Sequence, residues 1–553
     1  MTSLAERLAR PEILAMPPND VAAQANEAFA GDAIKLDANE NPFTPLIDGS
    51  LAANINRYPE PQPARLRQIM AALYGVEAQN LVVTRGGDDA IDILLRTFCR
   101  AGEDAMSVCQ PTFSAYAQFG RLQGARVVET RLDANFDFDP DAFVAAIADE
   151  RNLKLAFICS PNNPTGNPVA PADVLKVADA LSNTIIVLDE AYIEFSDLES
   201  LAREATKREN LVVLRTLSKA YGLAGARVGC AIGNAELISL IARALPPYPM
   251  PSLAIQAAMT SLSPSRRPVH ENRIRKLKAA RERIAELLRS SSIVKSVRSG
   301  GGNFLFLEVD DAETLATKLH GLGIRVRFRP NAAPGGVRLT IGEEAENGAA
   351  LAALGVAVEQ PPCRHAEVVR DTRETKIAVA IDLDAANPRR IDTGIAFFDH
   401  MLDQVAAHGG FSVTLACEGD LEIDAHHSLE DCALAFGTAL SKALGDRKGI
   451  GRFGFALPMD ETEAQVLIDL SGRSYSVFDG AFEASHIGTY PTEMTPHIFR
   501  SFADSLGAAI HVKVTGQNDH HKTEACFKAF GRALRQAVRQ EVGAELPSTK
   551  GVL

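Results

Sequence analysis

The sequence predicts two α/β regions in one chain: a mostly parallel sheet covered by helices with a smaller α/β domain behind it, then a duplicated α+β unit. Three observations predict this. Short β-rich runs alternate with helical stretches from about position 75 to 250, the pattern of strand–helix crossovers. Only two of the 12 histidines, His270 and His320, precede position 360, and the other ten follow it. The phrase H-H-x-x-E opens an apolar helical stretch at HHSLEDCALAFGTAL (426–440) and again at HHKTEACFKAFGRAL (520–534), which reads as an internal duplication.

The elements follow in order. Domains of roughly 100–200 residues make three or four compact units in 553 residues. Residues 1–35 read as a helical arm with a loop. A large domain is expected over about 36–250, with strands at LVVT (81–84), KLAFICS (154–160), TIIVLDE (184–190) and LVVLRTLS (211–218). A long charged amphipathic helix near 265–290 opens a small domain (251–355), whose strands are NFLFLEV (303–309) and GVRLTIG (336–342). The paired prolines after Val356 mark a linker at 356–366. In the last region, 367–553, TKIAVAIDLD and SVTLACEGDLEID alternate as half-buried strands, while FFDHMLDQVAAHGG and SLEDCALAFGTALSKALG read as helices.

Composition excludes several classes. A net charge of -13 and a pI near 5.5 argue against nucleic acid or anionic membrane as partner, though not against small phosphorylated substrates. Eight cysteines without a C-x-x-C pair are no disulfide scaffold and fit a reduced cytoplasm. The first twenty residues hold no continuous apolar run, so no secretory signal is expected. No apolar stretch of about 18 residues exists, so no membrane span is expected.

In the front region the segments LDANENP (36–42), NRYPEPQ (56–62), TRGGDD (84–89), PTFSAY (111–116), SPNNPTG (160–166), LDEAYIEF (188–195) and RTLSKAYGLAGARVG (215–229) occur in sequence. Singly each is a turn or a surface lysine; their order makes coincidence untenable. Together they resemble the fold-type I pyridoxal-phosphate aminotransferases, and among them the histidinol-phosphate aminotransferases, over about 10–355. The resemblance implies pyridoxal 5'-phosphate on Lys219, whose amine binds the cofactor aldehyde. It implies Asp189 at the pyridine nitrogen, Asn163 and Tyr192 at the ring hydroxyl, and Tyr116 stacked on the ring. Gly87 and Asp88 at a helix start, with Thr216, Ser218 and Arg227, would hold the phosphate. Tyr58 would reach the neighbouring subunit's phosphate, implying a dimer. Arg338 would grip the donor carboxylate by a bidentate contact, and Arg327 the substrate phosphate. Another aminotransferase, a phospho-amino-acid decarboxylase, or a non-catalytic scaffold of this fold are the alternatives.

In the back region, His426 and Glu430 share a helix face at i and i+4, as do His520 and Glu524, while His427 and His521 point elsewhere. Imidazole with carboxylate suits a divalent transition metal such as Mn, and the absence of cysteine argues against structural zinc. With TGIAFFDHMLDQ (393–404), GIGRFG (449–454), PMDE (458–461), DLSGR (469–473) and PSTKGVL (547–553), the region resembles imidazoleglycerol-phosphate dehydratase over 365–553. The resemblance implies two Mn2+ ions on His400, His426, His427, Glu430, His497, His520, His521 and Glu524, with His511 the rival of His497. Glu374 and Glu524 are the implied proton-transfer groups. Arg452, Arg473, Lys528 and Lys550 are the cations for substrate phosphate, and Gln404 a substrate contact. His365, His408 and His486 are read as structural or surface residues. The family assembly implied is a shell of about 24 chains. The substrates implied are phosphorylated imidazole compounds and glutamate, since the dehydratase product is the ketone that the aminotransferase consumes.

Overall fold

A computed structural model of the chain describes residues 3–11, 14, 55–328, 333, 335–356, 364–454 and 457–540. It divides into two compact units, residues 1–262 with 274–359 and residues 263–273 with 360–553. Of the expected arm, only a short capped helix, Leu4–Leu8, and a few residues after it are described.

The first unit is built on seven strands: β1 (Leu81–Thr84), β2 (Ala105–Gln110), β3 (Arg126–Arg131), β4 (Leu153–Cys159), β5 (Ile185–Asp189), β6 (Leu211–Thr216) and β7 (Gly229–Ile232), in the order β1-β7-β6-β5-β4-β2-β3. Only β7 runs against its neighbours. The strands are apolar on both faces because both are covered. In β4, Leu155 and Phe157 enter one core while Ala156 and Ile158 enter the other. A smaller antiparallel sheet follows: β8 (Val294–Arg298), β9 (Phe304–Val309), β10 (Arg327–Phe328) and β11 (Gly336–Thr340), ordered β10-β11-β9-β8. The charged helix spans Arg267–Leu288.

The second unit is two copies of one pattern. The first copy has β12 (His365–Asp371), β13 (Thr375–Asp382), β14 (Arg389–Asp392) and β15 (Ser412–Gly419), ordered β12-β13-β15-β14. The second has β16 (Phe453–Gly454) and β17 (Leu457–Met459) on one side of β18 (Thr462–Asp469), then β22 (Ala509–Thr515) and β19 (Tyr475–Asp479). It adds a two-stranded hairpin, β20 (His486–Ile487) with β21 (Tyr490–Pro491). In each copy one helix precedes the last strand and one follows it: Ala396–Gly409 and His426–Leu444, then Met494–Leu506 and Asp519–Ala537. β18 shows how the sequence sets this layering, since Ala464, Val466 and Ile468 point into the core while Glu463, Gln465 and Leu467 face out.

Helices pack across the copies, and glycine permits it. A methyl on Gly531 would sit 2.6 Å from the Val405 carbonyl, so the helices 396–409 and 519–537 approach backbone to side chain-free backbone. Gly437 allows the same for helices 426–444 and 494–506, where it faces Ser505. Among the described residues no helix is long and apolar enough to cross a membrane.

Two candidate active sites

β1, β5 and β6 point the same way, and their C-terminal ends share one edge of the first sheet, where open α/β sheets hold ligands. Asp189 ends β5, Thr216 ends β6, and the helix Gly87–Phe98 starts just after β1. Gly86 caps that helix with a φ of 83°, a left-handed conformation that glycine adopts without strain. A cavity of about 310 Å³ opens there, lined by Gly87, Asp88, Phe113, Asn163, Asp189, Tyr192, Thr216, Ser218, Lys219, Arg227, Arg327 and Arg338, among others.

Inside it, the Tyr116 hydroxyl donates to Asp189 Oδ2 at 2.6 Å and the Ala191 N–H donates to Oδ1 at 3.0 Å. Burial raises the Asp189 carboxyl above its usual range, and these donors work against that rise. Lys219 Nζ lies 5.7 Å from the Tyr192 ring centre. Burial, then the Arg338 guanidinium, pulls the Lys219 ammonium below the usual lysine range. Arg338 donates to Asn163 Oδ1 at 2.6 Å. Arg227, itself left-handed at φ 55°, pairs with Asp88 at 3.1 Å. Thr216 and Ser218 join through their hydroxyls at 2.9 Å.

One expectation changes. Tyr116 does not face the cavity: its ring is fully buried, stacked on Phe157 at 5.0 Å, and its hydroxyl serves Asp189. The helix Ala115–Gln123 turns it under the floor, and Phe113, just before that helix, lines the cavity instead. Tyr58 stands apart from the cavity of its own chain, half exposed and stacked on Tyr248 at 4.4 Å.

The second unit brings its histidines into two trios. His426 and His497 approach Glu430 at 3.6 and 3.2 Å. His400 and His520 approach the two oxygens of Glu524 at 3.7 and 3.3 Å. Each trio draws on both copies. Nε2 of His497 is buried, and its 3.2 Å approach to Glu430 is not a well-aligned hydrogen bond. His511 lies on β22 against Tyr475, away from the trio. Burial works to raise the Glu524 carboxyl, yet Lys528 at 2.8 Å, with His400 and His520, holds it below the usual range.

The other two expected ligand histidines, His427 and His521, have carboxylate partners. His427 Nδ1 meets Asp420 at 3.1 Å, with Glu374 3.8 Å from its Nε2. His521 Nδ1 meets Glu461 at 2.9 Å, and Asp460 lies in the same cluster. Asp420 raises the His427 imidazole above its usual range, Glu461 does so for His521, and His521 in turn holds Glu461 down at about 2.

The region that carries the first sheet, with Lys219 and Asp189 on the wall of its cavity, matches a known family. Residues 31–354 match the family described as Aminotransferase class I and II. The chain belongs to that family. The aminotransferase unit also shares its fold with the histidinol-phosphate aminotransferase of Clostridium acetobutylicum, at a TM-score of 0.50 and 24% identity over 54% of this chain and 90% of that one. The histidinol-phosphate aminotransferase of Sinorhizobium meliloti, solved with pyridoxal-5'-phosphate, gives 0.50 and 23% over 62% and 95%. Residues 393–534, which hold both trios, match the family described as Imidazoleglycerol-phosphate dehydratase. The histidine biosynthesis bifunctional protein HisB of Stenotrophomonas maltophilia strain R551-3 is 57% identical over 190 residues, 34% of this chain and 53% of that protein. That of Actinobacillus pleuropneumoniae serotype 3 strain JL03 is 56% identical over 197 residues, 36% and 54%. The chain spans about half the length of these curated relatives.

In the second unit, the other expected contacts divide. Gln404 lies 3.5 Å from His400. Arg452 is paired with Asp469 at 2.6 Å, Lys528 with Glu524, and Arg473 is exposed. Lys550 lies outside the described residues. His365 meets the Ile381 carbonyl at 2.8 Å. Sequence reasoning missed Phe113, Asp420 and Glu461. The last had a signal: ETKIAVAIDL (374–383) and ETEAQVLIDL (461–470) are the same phrase, so Glu461 is the second copy of Glu374.

Proposed function

We propose that the chain is a bifunctional enzyme of histidine biosynthesis, with residues 1–355 as aminotransferase, 356–366 as linker and 367–553 as dehydratase. The second region removes water from imidazole-glycerol phosphate to give imidazole-acetol phosphate. The first transfers the amino group of glutamate to that ketone, giving histidinol phosphate. One observation carries this reading: a single chain joins an aminotransferase cavity built on Lys219 and Asp189 to a region matching the dehydratase, whose product is a ketone.

The residues of the first cavity fit pyridoxal phosphate, because a buried carboxylate and a lysine with a weakened ammonium stand on the same cavity wall. Bound there, the cofactor supplies an electron sink for amino transfer. Lys219 would hold the cofactor through its aldehyde and would move the proton at the substrate α-carbon. Asp189, fixed by Tyr116, keeps the ring nitrogen protonated. Arg338 takes the donor carboxylate, and Arg327 the substrate phosphate. Gly87, Asp88, Thr216, Ser218 and Arg227 hold the cofactor phosphate.

The trios fit Mn2+, one ion each. Each offers two imidazoles and a carboxylate, and the buried Nε2 of His497 faces Glu430 at 3.2 Å without a well-aligned hydrogen bond, as two ligands of one ion would. Bound there, the ions would supply Lewis acidity to polarise the imidazole ring of the substrate. Glu374, half exposed beside His427, and Glu524 move protons at the carbons that lose water. Gln404 orients the substrate, while Arg452, Arg473, Lys528 and Lys550 bind its phosphate. We place the enzyme in the cytoplasm as a homo-oligomer. The exposed Tyr58 supports pairing of aminotransferase units, and the dehydratase family supports a shell of about 24 chains.

The test is to supply the purified chain, with pyridoxal phosphate and Mn2+, with each substrate separately. Dehydration of the triol phosphate and glutamate-dependent consumption of the ketone are expected. A cofactor-loaded chain that leaves the ketone untouched would assign the first unit to another chemistry.

A further inference from the structure

The two copies of the second unit place equivalent carboxylates and then use them differently. Glu374 precedes Thr375, the first residue of β13, and Glu461 precedes Thr462, the first residue of β18. Each stands near the second histidine of its own copy's His-His pair. In the second copy, Glu461 Oε2 accepts from His521 Nδ1 at 2.9 Å. Its other oxygen accepts from the Asn518 N–H at 3.1 Å and the Thr462 hydroxyl at 3.3 Å, so the carboxylate is tied at both ends. In the first copy the loop after β15 carries Asp420, which takes His427 Nδ1 at 3.1 and 3.3 Å. Glu374 is left on the Nε2 side at 3.8 Å, its side chain 52% exposed. The loop after β22 is shorter and runs Gly516, Gln517, Asn518, with no carboxylate to relieve Glu461.

We propose that Asp420 and Glu461 are positioning residues that fix His427 and His521 as Nδ1–H tautomers with Nε2 left for a divalent metal, and that Asp420 thereby frees Glu374 for proton transfer. The ring nitrogen that carries the hydrogen is set by the partner of that nitrogen. A carboxylate on Nδ1 fixes the ring plane and strengthens Nε2 as a ligand. Glu461 and Glu374 thus stand at equivalent positions and differ in setting because one loop carries an aspartate and the other does not. The proposal rests on the dehydratase reading only for the role of Glu374; the tautomer assignment concerns metal binding alone.

The experiment is a Mn2+ titration of the metal-stripped full chain, reading free Mn2+ by electron paramagnetic resonance. Glu461→Ala and Asp420→Ala are each expected to lower Mn2+ affinity by roughly 10–100-fold. Glu461→Gln, which keeps an acceptor oxygen and the side-chain shape, is expected to lower it less, which separates lost orientation from lost folding. Glu374→Gln is expected to leave Mn2+ affinity as it is while dehydration is lost. Wild-type affinity in Glu461→Ala overturns the proposal. So does loss of Mn2+ affinity in Glu374→Gln equal to that in Glu461→Ala, or a metal-bound crystal structure with Glu461 itself on the ion. A wild-type chain whose Mn2+ affinity depends on Glu461 and Asp420 but which does not dehydrate the triol phosphate would sink the functional reading and leave the positioning roles standing.

Discussion

The hydroxyl of Tyr116 donates to Asp189 at 2.6 Å from beneath the cavity floor, where neither group meets bulk water. A hydrogen bond to a buried charged group contributes about 1.5–3 kcal/mol, and its loss leaves a desolvated carboxylate with one donor fewer. Tyr116→Phe should therefore push the Asp189 carboxyl further up and weaken its grip on a protonated ring nitrogen. The expected result is a pyridoxal-phosphate Kd raised roughly tenfold or more. A titration showing unchanged affinity would mean that the Ala191 N–H alone keeps Asp189 ionised.

Lys219→Ala should remove both transamination and the visible absorbance of bound cofactor, since among the described residues no other lysine lines the cavity. Dehydration should survive, because the trios lie in the other compact unit. Transamination at the wild-type rate in the variant would end the assignment of Lys219.

The weakened Lys219 ammonium gives a pH dependence with a definite sign. Only the uncharged amine attacks the cofactor aldehyde. Burial and Arg338 lower the pKa, so the amine is uncharged at lower pH than a free lysine, whose pKa is about 10.4. Reconstitution of cofactor-free protein should speed up with pH, with a midpoint below that value. Arg338→Gln should move the midpoint upward, because a neighbouring cation has gone. A midpoint at or above the free-lysine value would contradict the burial argument.

Chelation should silence the two activities unequally. Stripping divalent ions removes the groups held by the trios and should abolish dehydration, with recovery on adding Mn2+. Transamination uses no metal and should continue. Parallel loss of both rates would show a dependence that the two-unit architecture does not contain.

Gly531→Ala tests the helix contact that brings His400 to Glu524. The added methyl would sit 2.6 Å from the Val405 carbonyl, and backbone cannot step aside as a side chain tip does. Overpacking of this kind costs about 1–3 kcal/mol, more than alanine gains over glycine in a helix, about 1 kcal/mol. A lower melting temperature with weaker Mn2+ binding is expected; a higher one would show that the helices separate freely.

Much of this was legible in the sequence because its signals are local. The runs LVVT, KLAFICS, TIIVLDE and LVVLRTLS are β1, β4, β5 and β6, since apolar strands covered on both faces advertise themselves without any partner. The repeated H-H-x-x-E marks two helix starts, as its spacing required. What stayed hidden depended on neighbours far along the chain. Phe113 and Tyr116 are three residues apart, and only the packing of Tyr116 on Phe157 decides which ring reaches the cavity. Asp420 is one acid among many until the loop after β15 folds it against His427. Arg452 looked like a free cation until β18 brought Asp469 beside it.

The crosswise make-up of the trios bears on ancestry. His426 and Glu430 come from the first copy and His497 from the second; His520 and Glu524 come from the second and His400 from the first. A half-length forebear with one copy would hold no complete trio, and two such chains facing each other would hold both. Duplication within one gene then turned a symmetry axis between molecules into an approximate one inside a single molecule. Once the two faces were encoded separately, they could drift apart, as Glu374 and Glu461 have done.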